Sequence, residues 1–257
     1  MADIMKEDKE IIMKFINSPM DDSSVQYPEI PQKLWEYYER LLMDNPGHKL
    51  IKAIKRQGYH KTWNGINDVF WHASQATGMT FNKLYEEIGF RENDLDENNF
   101  QALLGILRSI NMLNEVGFQA LRPLRPKKSQ KEVDLLGRFA NKLLAIEVIR
   151  SSEKKYCYPD HEKPSANSVK YVVGRYCEKR SQLASSIKEH GCAAGMLVVI
   201  MDSQPFKDLV TLEELIQVTQ EAFLAMSSPA KTYLVIFTGM ANEQGKNEYA
   251  IYPSLLN

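Results

Sequence analysis

The chain has 257 residues, 32 Lys plus Arg against 33 Asp plus Glu, and a net charge of −1. With 44% hydrophobic and 25% charged residues it has an ordinary globular composition, which excludes a disordered chain, a collagen and a disulfide scaffold. No apolar run reaches about 18 residues, so no membrane span is expected, and a charged N-terminus together with three cysteines suits a reducing cytoplasm.

Residues 1–95 carry 12 basic and 15 acidic side chains, and residues 96–257 carry 20 and 18. The first part is rich in aromatics and helix formers and has no period-2 run. It reads as an all-helical N-terminal region, with helices near 4–17, 31–43, 47–57, 65–76 and 80–89 and an irregular linker at 18–30. Asp94-x-x-Glu97 then reads as a capping box. It opens a helix in which Phe100, Leu103, Leu104, Leu107, Ile110 and Leu113 share one face and which stops near Gly117. Residues 118–131 read as a basic connection. Strand character follows at 132–139, 142–150 and 196–201, with a helix over 169–190 before the third strand. Thr211-x-x-Glu214 caps a helix to about Met226, and 232–238 is a further strand. A hairpin followed by crossovers makes residues 96–257 an α/β domain with a mixed sheet.

The stretch 131–150, KEVDLLGRFANKLLAIEVIR, holds the chemistry. A turn centred on Ala140 and Asn141 sets Asp134 directly opposite Glu147, with facing Cβ atoms about 4.5–5.5 Å apart. Period 2 puts Glu132 on the face of Asp134. Like charges so close need a proton, a basic neighbour or a hard divalent cation such as Mg²⁺. Glu147 is the sharper signal, because the rest of 144–149 is apolar and a lone buried acid is costly. The bland alternative is a solvated polar edge of a hairpin.

Asp134, a spacer of twelve residues and Glu147-Val148-Ile149-Arg150 resemble the core of the PD-(D/E)XK nuclease superfamily. The surroundings are similar too: a preceding helix with Glu97 near its start, the hairpin, a helix carrying Lys179-Arg180-Ser181-Gln182-Leu183, and the strand Gly195–Ile200. The resemblance covers residues 96–202. It implies a restriction-endonuclease-like fold in which Asp134 and Glu147 hold Mg²⁺ or Mn²⁺, with Glu97 or Glu132 as a third acid. Ile149 stands where the family has its lysine, a departure that removes a group able to activate water and stabilise phosphate charge. Arg150 points to the opposite face of the strand. Members of the superfamily tolerate a lysine moved to another element. Arg175, Lys179, Gln182 and Ser186 share a helical face, which makes Lys179 the expected replacement, with Gln182 beside it.

Two segments are basic and free of acids. Residues 121–131 hold Arg122, Arg125, Lys127, Lys128 and Lys131, and lead into the strand of Asp134. Residues 48–62 include Lys52, Lys55 and Arg56, with Tyr59 and Trp63 close by as aromatics able to stack on bases. Both suit a phosphate backbone. The expected function is metal-dependent hydrolysis of DNA, with no membrane partner; the chain could pair as a homodimer. The alternative, motivated by Ile149, is a catalytically inactive DNA-binding or protein-interaction module on the same fold.

Overall fold

The computed structural model of the chain describes residues 32–125, 132–150, 164–201, 211–226, 231–241 and 247–255. The expected helix at 4–17, the linker at 18–30 and the cations Lys127, Lys128 and Lys131 lie outside these residues.

Four helices come first: α1 (Gln32–Asp44), α2 (Lys49–Gln57), α3 (Tyr59–Thr77) and α4 (Phe81–Ile88). Pro46-Gly47 separates α1 from α2, and His48 caps α2, its Nδ1 accepting from the Leu50 N–H at 3.1 Å. Gly58 is the breaker before α3, so α3 starts six residues before the expected position at 65. Leu34, Tyr37, Tyr38 and Leu41 of α1 are buried against Trp63, Phe90 and Phe100. Trp63 is 3% exposed, its ring 4.8 Å from that of Trp35. It is therefore a core residue, and the expectation that it could stack on bases is corrected.

The next helix, α5 (Glu97–Val116), buries all six residues of its predicted apolar face. Its N-cap is Asp96, whose carboxylate accepts from the Asn98 N–H at 2.7 Å. Asp94 instead accepts from the Asp96 N–H at 3.1 Å. The expected capping box is thus replaced by a local turn at Asp94 and a cap two residues later.

Six strands form one mixed sheet in chain order: β1 (Gln119–Pro123), β2 (Leu135–Phe139), β3 (Lys142–Arg150), β4 (Ala194–Met201), β5 (Thr232–Ala241) and β6 (Asn247–Tyr252). β1 replaces the front of the expected basic connection, and β6 was not expected. Both are short edge strands, and in β1 only Leu121 and Pro123 face inward. β1, β2 and β3 are antiparallel, β3, β4 and β5 parallel, and β6 returns antiparallel.

The parallel steps need crossovers, supplied by α6 (Pro164–Glu189) and α7 (Leu212–Ala225). Both advance the sheet in the same direction, so a common hand puts both helices on one face. There Tyr171, Leu183, Leu215 and Val218 pack on Ala145, Ile149, Leu197 and Val199. The opposite face belongs to α5 and the four leading helices, in one core that runs from Leu34 to Leu255. β4 is buried at every residue, as a central strand covered on both faces must be. Along β3 the side chains alternate, with Leu144 and Ile146 towards α5 and Ala145 and Ile149 towards α6. Among the described residues, no helix is long and apolar enough to cross a membrane.

Candidate active site

The β2–β3 ladder runs from Phe139↔Lys142 to Leu135↔Ile146 around the Ala140-Asn141 turn, the register expected from the sequence. One more step along it sets Asp134 across from Glu147. In this register Val133 and Val148 would exchange backbone hydrogen bonds next. The Asp134 carboxylate intervenes, its Oδ2 accepting from the Val148 N–H at 2.8 Å. β2 therefore begins at Leu135 and not at Glu132. The Asp134 carbonyl in turn accepts from the Leu124 N–H at 2.9 Å, tying it to the end of β1.

Glu147 points to the α6 side of the sheet and is 1% exposed. Lys179 Nζ lies 2.5 Å from its Oε1, and Gln182 Nε2 donates to its Oε2 at 2.7 Å. The same amide donates to the Glu132 carbonyl at 2.5 Å, while Lys179 Nζ donates to Gln182 Oε1 at 3.4 Å. One turn further on, buried Ser186 accepts from the Val133 N–H at 3.3 Å. At the other end of the stripe Arg175 pairs with Glu178. One face of α6 is thus stitched to Glu132, Val133 and Glu147. Gly195 in β4 admits this approach, since a Cβ there would lie 3.1 Å from Ile187 Cδ1 and 3.2 Å from Leu183 Cδ2.

Burial pushes the Glu147 carboxyl up to about 8; the neighbouring Asp134 adds to this and Lys179 opposes it. Burial likewise pushes Asp134 up to about 6, against the Val148 hydrogen bond and the Lys179 charge. The two acids titrate as a pair. The result is two adjacent oxygen-donor groups, an ammonium and a primary amide in a largely desolvated corner. Such a set can bind a hard cation or hold a proton near neutral pH.

Other predicted residues lie elsewhere. Glu97 pairs with Lys49 at 2.9 Å, because α5 packs on the sheet face opposite Glu147. It does not join the two acids, which corrects its expected place as a third ligand. Glu132 precedes β2 and so escapes its alternation; its Oε1 lies 3.9 Å from His190 Nε2. With Glu189 and His190 it forms a separate group whose ligand atoms lie within 4.8 Å of one another and could hold a metal ion. No motif spacing marks that group, since it pairs a loop residue with the end of a helix. Ile149 is 2% exposed in the core, and Arg150 crosses to the α5 side, where Nη1 donates to the Gln101 carbonyl at 3.2 Å. Arg122 is exposed on β1 opposite Leu136, and Arg125 is exposed just beyond that strand. Lys52, Lys55 and Arg56 are exposed on α2, in the layer on the α5 side.

No protein-family model, curated protein or solved structure matches the chain.

Proposed function

We propose that the chain is a metal-dependent nuclease, hydrolysing DNA phosphodiester bonds at a PD-(D/E)XK-like site on a restriction-endonuclease-like core. The observation that carries this reading is the convergence of Asp134, Glu147, Lys179 and Gln182, with Lys179 2.5 Å and Gln182 2.7 Å from the Glu147 carboxylate. Four such groups from a hairpin and a helix match the donor set of a phosphate-hydrolysing site. The two carboxylates are hard oxygen donors and fit Mg²⁺ or Mn²⁺. The chemistry such a cation supplies is Lewis-acid polarisation of a phosphoryl oxygen. Lys179 stabilises negative charge on the phosphate from α6, in place of a lysine at Ile149. Gln182 fixes the Glu147 carboxylate and orients the attacking water. Arg122 on edge strand β1 and Arg125 just beyond it, flanking the Leu124 N–H that donates to the Asp134 carbonyl, hold the DNA backbone through salt-dependent contacts.

The test is nicking of supercoiled plasmid with Mg²⁺ or Mn²⁺. Asp134→Ala, Glu147→Ala and Lys179→Ala should each lower the rate by roughly 10²-fold or more. A wild-type protein that cuts nothing, or variants that cut as fast as wild type, would overturn the reading. One observation favours a second: Ile149 is 2% exposed in the core, so no residue of β3 supplies the family lysine. A module that binds DNA in a salt-dependent way, with only background nicking in wild type and variants alike, would match that alternative.

A further inference from the structure

At the C-terminal end of α6, beyond the residues that reach Glu147, the side chains of Glu132, Glu189 and His190 converge. One ligand atom from each lies within 4.8 Å of the other two, and His190 Nε2 is 3.9 Å from Glu132 Oε1. The fold builds this convergence. The 132–133 segment lies along α6, since the Glu132 carbonyl accepts from Gln182 Nε2 at 2.5 Å and the Val133 N–H donates to Ser186 at 3.3 Å. His190 follows Ser186 by four residues and so falls on the same stripe of the helix. Its N–H donates to the Ser186 carbonyl at 3.0 Å. Gly191, at φ 62°, then turns the chain away, and the Cys192 N–H donates back to the Ile187 carbonyl at 2.9 Å. Both sides of the cluster are thus held by hydrogen bonds to the main chain.

A second observation points to a ligand. His190 Nε2 is buried and makes no hydrogen bond to any described residue, and 3.9 Å to Glu132 is too long for one. A buried imidazole nitrogen in that state is a group that a metal ion completes. The Glu132 side chain facing it is only 3% exposed, whereas Glu189 is exposed, so its side chain can swing onto an ion. Ligands about 2.1 Å from a tetrahedral zinc ion lie about 3.4 Å apart, so His190 and Glu132 need to close by only about 0.5 Å. We infer that Glu132, Glu189 and His190 form a zinc site. The imidazole nitrogen selects a borderline ion such as Zn²⁺ over Mg²⁺, and the partial negative charge at the end of α6 favours a cation there. The ion clamps the segment that leads into Asp134 to the end of α6. The inference stands apart from the hydrolytic reading, since the cluster shares no side chain with the Asp134–Glu147 site.

Titration calorimetry of the metal-free full chain with Zn²⁺ tests the site without any reference to cleavage. Zn²⁺ should bind, shift the His190 ring resonances in NMR spectra, and raise the melting temperature. His190→Ala and Glu132→Gln should each weaken binding at least about tenfold and lose the thermal shift, because losing a ligand costs no less than losing a partner of a ligand. Asp134→Asn should bind as wild type does. Circular dichroism confirms that each variant is folded; if one of the two ligand variants misfolds, the other and the His190 ring shift decide. The inference is overturned if Zn²⁺ does not bind, or if the ligand variants bind it as tightly as wild type. It is equally overturned if Asp134→Asn abolishes binding, which would assign the ion to the other acids.

Discussion

A carboxylate buried in a strand needs a proton, a cation or strong donors to stay there, and Glu147 has Lys179 and Gln182 within 2.7 Å. These do not cancel the cost of burial, so both acids hold protons more tightly folded than unfolded. The ordinary values are 3.8 and 4.5, against about 6 and about 8 in the fold. The folded state therefore binds more protons across that window, and this pair lowers stability progressively as pH rises from about 4 to about 8. Asp134→Asn keeps an acceptor for Val148 and removes one charge. Thermal melts should show it more stable than wild type at pH 8, by about 1–3 kcal/mol, with the gap closing near pH 4. A variant less stable at pH 8 would contradict the burial cost. His48 works in the opposite sense. Burial lowers its pKa below 6.5, and as neutral imidazole it accepts from Leu50 and contacts Tyr37 Oη at 3.3 Å. Its contribution is present above pH 6.5 and is lost as pH falls through the lowered value. Urea titration at pH 7.5 should find His48→Ala destabilised by about 0.5–2 kcal/mol through loss of the cap, and His48→Asn less so.

Among the elements, the β2–β3 hairpin controls the candidate site, because its register decides which residue meets Glu147. Its turn has two residues, and only the first, Ala140, has positive φ, at 50°. Glycine takes that conformation without the Cβ clash, so Ala140→Gly should stabilise the protein by about 0.5–1 kcal/mol, measurable by chemical denaturation. Gly137 in β2 is the converse case. A Cβ there would lie 2.9 Å from Leu121, 3.0 Å from Ile146 and 3.1 Å from Phe118. Gly137→Ala should therefore cost about 1–3 kcal/mol in the same assay. Taking Ala140-Asn141 as the turn was enough to give the register, because period 2 then sets every facing pair along the hairpin. Likewise, the spacing of Lys179 and Gln182 placed them on one stripe of α6. β1 was hidden because five residues containing Pro and Arg carry too little alternation. The place of Glu132 was hidden because the Asp134 side chain takes the hydrogen bond that would have extended the strand.

At the scale of the whole molecule, the sequence divides into a helical part and an α/β part, and the packing joins them. Leu34, Tyr37, Trp63, Phe70 and Leu84 share one core with Phe100, Leu107, Ile146 and Val198. A fragment of residues 96–257 would present the buried α5 face and part of the sheet to water. It should therefore fail to fold alone, giving no dispersed NMR spectrum, whereas the full chain should melt in a single transition. The same packing separates two polar regions, with Asp134 and Glu147 beneath α6 and the exposed α2 cations Lys52, Lys55 and Arg56 in the layer on the α5 side.

Lys179 is an internal counter-ion on a tether. Its concentration beside Glu147 is set by the helix and not by the medium, so bulk salt cannot dilute it and any cation from solution must compete with it. On the proposed reading, one side chain then sets two quantities in opposite directions. Lys179→Met should tighten Mn²⁺ binding by about tenfold, seen by titration calorimetry, while it slows phosphodiester cleavage. On that reading, the tethered cation keeps the acids neutralised when metal is scarce and raises the metal concentration needed for half-occupancy.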